Sequence, residues 1–89
     1  MIVCKRCVVR GRVQGVFYRA TACQQATKLD INGYAKNLSD GSVEVLACGE
    51  GDAVEIFCAW LWQGPELAEV SSMECTSFAP EPTEGFLTF

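Results

Sequence analysis

Arg19 stands four residues after Gly15 and eight after Gly11, and this spacing is where chemistry can first be read in the chain. The stretch Gly11-Arg12-Val13-Gln14-Gly15-Val16-Phe17-Tyr18-Arg19 follows a β-branched run and leads into residues with helical spacing. A glycine-bearing turn from strand to helix aims main-chain N–H groups and the positive end of a helix dipole at one point. An arginine at the helix start adds a planar fork of donors suited to phosphate or carboxylate. The stretch therefore reads as an anion cradle, with phosphate the favoured anion. A tight structural turn beside a solvated arginine is the competing reading, and for a lone glycine-rich loop it is the commoner case. Asn37 is the second residue to weigh. On its own it reads more as the end of a strand before the turn Ser39-Asp40-Gly41, as Asn often does, although its amide could orient a water without titrating.

The elements that must position these groups follow from periodicity. Residues 2–10 predict a strand with Val3, Cys7 and Val9 on one face and Cys4 on the other. Tyr18–Leu29 predicts a helix that buries Ala22, Ala26 and Leu29. Ile31–Leu38 and Ser42–Cys48 predict two strands joined at Ser39-Asp40-Gly41. Gly49-Glu50-Gly51-Asp52 reads as a loop in which Asp52 caps a helix over Ala53–Gln63. That helix buries Val54, Phe57 and Leu61, with Ile56 and Trp60 beside them. Trp60 and Trp62 face different sides, one toward the core and one partly exposed. Ala68–Phe78 predicts a fourth strand with Val70 and Met73 as its apolar members. Pro80 and Pro82 break the chain before a short strand at Gly85–Phe89. The order is βαββαβ plus a C-terminal strand, one domain over residues 1–89. Right-handed crossovers then predict an α+β, ferredoxin-like two-layer sandwich, an antiparallel sheet with two helices on one face. In that arrangement strand 3 lies beside strand 1, so a Cys4–Cys48 disulfide is geometrically allowed.

Composition narrows the partners. With 49% hydrophobic and 10% aromatic residues, the 89-residue chain is a folded domain rather than a disordered one. No apolar run approaches the roughly 20 residues of a membrane span, and no signal segment is apparent, so a cytoplasmic protein with no membrane partner is expected. The net charge of −4 hides a division: all seven Lys and Arg lie in residues 1–36, and ten of the eleven acids lie in 37–89. One basic region in an acidic chain favours a small anionic ligand over nucleic acid. The six cysteines, in a reducing compartment, are expected as small buried hydrophobes. With no histidine and a single close pair, Cys4 and Cys7 on opposite strand faces, no metal site is expected, and a metal-carrier reading ranks low. Cys4 and Arg10 flank five residues, the spacing of a cysteine-phosphatase loop, but the intervening Lys5-Arg6-Cys7-Val8-Val9 reads as strand and lacks the glycines such a loop uses.

Two motifs resemble the acylphosphatase family. One is Gly11 to Arg19; the other is Gly33-Tyr34-Ala35-Lys36-Asn37, followed by Gly41, Val43 and Gly49 at the family's spacing. The likeness spans essentially the whole chain. It implies hydrolysis of the carboxyl–phosphate bond of acyl phosphates, giving a carboxylate and inorganic phosphate. No cofactor is expected, and nothing in the chain argues against a monomer. On that resemblance Arg19 binds the phosphoryl group and Asn37 positions the attacking water. The cradle of main-chain amides falls on Gln14, Gly15, Val16, Phe17 and Tyr18. Phosphate or a similar anion is implied as product or inhibitor. Phe17 and Tyr18 are expected to be core by side chain, and Arg10, Arg12, Lys5, Arg6 and Lys36 to be solvated charges that help steer an anion. A phosphate-binding module without turnover is the rival reading. The C-terminal Phe86-Leu87-Thr88-Phe89 departs from the family, which often carries a basic residue there.

Overall fold

The computed structural model describes residues 1–79 and 84–89. The chain runs β1 (Ile2–Arg12), α1 (Tyr18–Lys28), β2 (Asn32–Asn37), β3 (Val43–Glu50), α2 (Gly51–Gln63), β4 (Glu69–Phe78) and β5 (Phe86–Thr88). The expected break at Pro80 and Pro82 lies outside the described residues. The sheet order is β4-β1-β3-β2-β5, open at both edges. Strand β1 pairs antiparallel with both β3 and β4, and β2 antiparallel with β3. This is the predicted ferredoxin-like arrangement, with α1 over β2 and β5 and α2 over β1, β3 and β4.

Two expectations change. The sheet is mixed, not purely antiparallel, because β5 runs parallel to β2. After β4 the chain returns to the opposite edge, where β5 runs in the same direction as β2. Gly33 N–H donates to the Gly85 carbonyl at 2.9 Å and Phe89 N–H to that of Ala35 at 2.9 Å. No loop separates β3 from α2 either. The strand continues through Glu50, whose side chain makes no cap bond, and Asp52 lies inside the first helical turn, where a carboxylate still suits the dipole.

Alternation along β3 divides its two faces. Val43, Val45 and Ala47 are buried under the helices with Cys7, Val9, Ala22, Ala26, Val54, Phe57 and Leu61. Full burial of side chains of the Val to Phe class contributes about 1.5–3 kcal/mol each. Leu46 lies on the other face with Cys4, Cys48 and Tyr34. Trp60 packs against the core and Trp62 is exposed, whereas Ile56, placed beside the core by helical spacing, is 58% exposed. Val70 and Met73 both pack against the core although an odd spacing separates them. A register shift makes this possible: Arg10 pairs with Ser72 and Gly11 with Val70, leaving Ser71 as the extra residue of a bulge.

The cysteines are not six buried thiols: there are two disulfides, the Cys4–Cys48 bond between β1 and β3 that strand placement allowed, and Cys7–Cys75 between β1 and β4, which was not expected. Each joins residues that are direct register partners. They lie on opposite sheet faces, as the spacing of Cys4 and Cys7 requires. Cys23 and Cys58 are free.

Candidate active site

The loop after β1 is shaped from both ends. Gly11, at φ 127°, lies so close to β4 that a Cβ there would stand 2.1 Å from the Glu69 carbonyl oxygen. Only glycine lets the strand end pass that bulge. Buried Val13 and Val16 hold the two sides of the loop down. Between and after them, Gly15 (φ 75°) and Phe17 (φ 64°) take left-handed conformations and turn the chain sharply into α1. The main-chain N–H groups of Gly15, Val16 and Phe17 have no acceptor among the described residues. The first-turn N–H groups of α1, from Tyr18 onward, lie next to them.

Side chains then fix where this loop sits. Tyr18 is buried and its hydroxyl donates to the Leu61 carbonyl at 2.6 Å, which ties the start of α1 to the end of α2. Burial pushes the phenol above the ordinary tyrosine range, so it is a neutral donor. Phe17, expected in the core, is 76% exposed, because its left-handed turn at the helix N-cap points the ring outward. Gln14 Nε2 donates to the carbonyls of Leu38 (2.8 Å) and Ser42 (2.9 Å) and so clasps the loop to the β2–β3 hairpin. That hairpin is closed by Asp40, whose carboxylate accepts from the N–H and hydroxyl of Ser42 and is held below the ordinary carboxylate range by those bonds.

Arg19, in the first turn of α1, lines a cleft of about 310 Å³ together with Gly15, Phe17, Tyr18 and Thr88. Its Nη1 donates to the main-chain oxygen of Phe89 at 2.5 Å. Asn37 ends β2, and its main-chain N–H donates to the same Phe89 oxygen at 3.3 Å. The Asn37 side-chain oxygen is buried and has no hydrogen-bond partner among the described residues. Arg19 and the loop thus share one cleft, and Asn37 joins them through Phe89 rather than by lining it.

The acylphosphatase family model matches residues 5–88. The chain belongs to the acylphosphatase family. An acylphosphatase of Xanthomonas euvesicatoria pv. vesicatoria is 51% identical over 83 residues, covering 93% of this chain and 94% of the relative. Among solved structures, an acylphosphatase from Coxiella burnetii superposes with a TM-score of 0.95 at 40% identity, over 99% of this chain and 93% of the other. The acylphosphatase of Bacillus subtilis also reaches 0.95, at 32% identity, over 100% of this chain and 99% of its own. The chain is an acylphosphatase-type enzyme, and hydrolysis of acyl phosphates is the activity its family and fold support.

Within this acylphosphatase fold the structure adds residues that sequence reading passed over. Thr88, in β5, lines the cleft, Phe89 just after it accepts from Arg19, and the Gln14 side chain holds the loop to the hairpin. Their signal is tertiary: Gln14 bonds across 24 and 28 residues and Arg19 across 70. Arg10, read as a solvated charge, lies at the surface and pairs there with Glu74 on β4 at 3.1 Å. No helix among the described residues is long and apolar enough to cross a membrane.

Proposed function

We propose that the Gly15 loop and Arg19 bind the phosphoryl group of an acyl phosphate and that Asn37 orients the water that attacks it. The observation that carries this reading is the placement of the Arg19 guanidinium in one cleft with the unpaired N–H groups of Gly15 to Phe17. A phosphoryl transition state spreads charge over three equatorial oxygens and needs alignment more than covalent help. The amides of Gln14–Tyr18 and the guanidinium fork supply donors for those oxygens. To reach both of its partners, Arg19 gives up or shares its bond to Phe89.

Asn37 Oδ1 is an acceptor in want of a donor, and an attacking water is one. The amide does not titrate, so it directs the water's lone pair to phosphorus without removing the proton. A phosphoryl oxygen takes that proton. The carboxylate leaves unaided because its conjugate acid has a pKa of roughly 4, which is how a chain without histidine runs the reaction. A monomeric enzyme that works without cofactor belongs to the same proposal. A cytoplasmic placement belongs to the same reading, and in that compartment both disulfides are expected as dithiols.

The test is a direct assay of benzoyl phosphate hydrolysis with inorganic phosphate as competitor. Turnover with competitive inhibition by phosphate is expected. Phosphate binding with no turnover of benzoyl or acetyl phosphate would replace the enzyme with a binding module.

A further inference from the structure

Three sulfurs outside the cleft converge although the chain brings them from far apart. Cys7 on β1 and Cys75 on β4 are register partners 68 positions apart, and Cys58 on α2 lies 51 positions from Cys7. Their Sγ atoms all lie within 4.8 Å of one another, and that of Cys58 stands 4.0 Å from that of Cys7. Cys4 and Cys7 point to opposite faces and make no such group. Cys7 and Cys75, as direct partners, share the face that α2 covers.

We propose that Cys7, Cys58 and Cys75, when reduced, form a three-coordinate thiolate site for a soft monovalent cation, Cu(I). The inference rests on the cytoplasmic part of the function proposed above, in which the Cys7–Cys75 pair is a dithiol. Reduction frees both sulfurs, and side-chain rotation then carries them apart. A filled-shell ion lies about 2.3 Å from thiolate sulfur, which in a planar three-ligand site spaces the sulfurs by about 4.0 Å. Cys58 and Cys7 already stand at that separation. Cys58 also lies within 4.8 Å of both members of the pair, the place a third ligand takes.

Ligand type and number decide the metal. Thiolate sulfur is soft and selects Cu(I) or zinc over hard cations. Structural zinc is almost always held by four ligands. No fourth cysteine or carboxylate among the described residues joins these three, and the chain has no histidine. Three sulfurs alone suit Cu(I). Each ligand gives up its proton as the metal binds. Lys5 on β1 lies near enough to offset part of the negative charge of three thiolates, whereas Glu55 on α2 adds to it. Cys7 is fully buried and Cys58 half-buried, so the approach lies on the Cys58 side and the bound ion is shielded. The ion ties β1, α2 and the edge strand β4 at one point, replacing in the reduced chain the cross-link that the disulfide gives the oxidised one.

The test uses the full chain, reduced with a phosphine that is then removed, and titrated with Cu(I) without oxygen against a chromogenic Cu(I) chelator. X-ray absorption at the first equivalent of copper counts the sulfur neighbours. Three are expected. Cys58→Ser and Cys58→Ala should lower the count to two and weaken binding by more than about 100-fold, beyond the 10–100-fold typical of losing an outer-shell partner. Cys48→Ser removes the dithiol on the other face and should leave the first equivalent as tight as before. Circular dichroism checks that each variant is folded, and the sulfur count in the wild-type chain needs no variant. Two sulfur neighbours in the wild-type chain overturn the site, as does unchanged affinity in the Cys58 variants. Displacement of Cu(I) by equimolar Zn(II) overturns the choice of metal. Thiol counting on acid-quenched cells is a separate arm. An intact Cys7–Cys75 bond there overturns the cytoplasmic placement and the site's use in the cell, while the binding data decide the site itself.

Discussion

The guanidinium of Arg19 and the main-chain N–H of Asn37 donate to one and the same oxygen, that of Phe89, at 2.5 and 3.3 Å. The first turn of α1 and the end of β2 are thereby brought together by a residue just beyond β5, 70 positions from Arg19. A shared acceptor limits how far apart the two groups can lie. It also gives the arginine a defined resting place when no anion is bound.

Arg19→Ala is expected to reduce kcat/KM for benzoyl phosphate by about 10²–10³-fold or more, the loss typical of removing one preorganised donor to developing charge. Arg19→Lys keeps the charge but not the fork, so it restores only part of the activity. Circular dichroism and thermal unfolding should stay near wild type, since Arg19 contributes no core surface. Full activity in Arg19→Ala would remove the residue from the mechanism.

Asn37→Ala separates catalysis from stability. Activity is expected to fall about 10²-fold or more, while competitive inhibition by inorganic phosphate is kept, because the water and not the phosphate is lost. Stability should hold or rise. A buried acceptor without a partner costs about 1–3 kcal/mol, and alanine removes it while the main-chain bond to Phe89 remains. Urea unfolding of both proteins checks the second half. A large loss of stability would mean that the side-chain oxygen is satisfied in solution.

The two loop glycines should respond differently to alanine. At Gly15 a Cβ meets nothing within 4 Å, so the cost is that of a left-handed residue, about 1 kcal/mol, and activity falls through the distorted amides. At Gly11 a Cβ would press on the Glu69 carbonyl at 2.1 Å, and the β1–β4 pairing must move. Gly11→Ala is expected to destabilise by several times the Gly15→Ala cost. Equal costs in denaturant unfolding would refute this account of the strand end.

Tyr18 makes stability pH-dependent at the alkaline end. Its pKa is raised in the folded protein by burial, above the ordinary value near 10 that applies when unfolded. Its contribution is therefore complete below about pH 10. It is lost as pH rises further, because the unfolded chain releases the proton first. The expected slope is about 1.4 kcal/mol per pH unit for this one group. Tyr18→Phe should lower stability at neutral pH by about 1 kcal/mol through the lost bond to Leu61, and should flatten the decline above pH 10 relative to wild type.

Much of this enzyme was determined by the sequence alone, where the governing forces are local. Period two placed Val3, Cys7 and Val9 on one face and set Cys4 on the other. Helical spacing found Val54, Phe57 and Leu61. The glycines and Arg19 could be read because a left-handed turn before a helix constrains residue type within a few positions. Three features were decided only by tertiary structure. The bulge at Ser71 let Val70 and Met73 share a face against their spacing. The pairing of Cys7 with Cys75 depended on β4 lying beside β1 in one particular register. The meeting of Arg19 and Asn37 at Phe89 required β5 to run parallel to β2 at the far edge. Each of these couples residues 60 or more positions apart, or turns on a shift of one residue in register. Periodicity carries no record of either, because it encodes which face a side chain takes and not which strand will lie next to it.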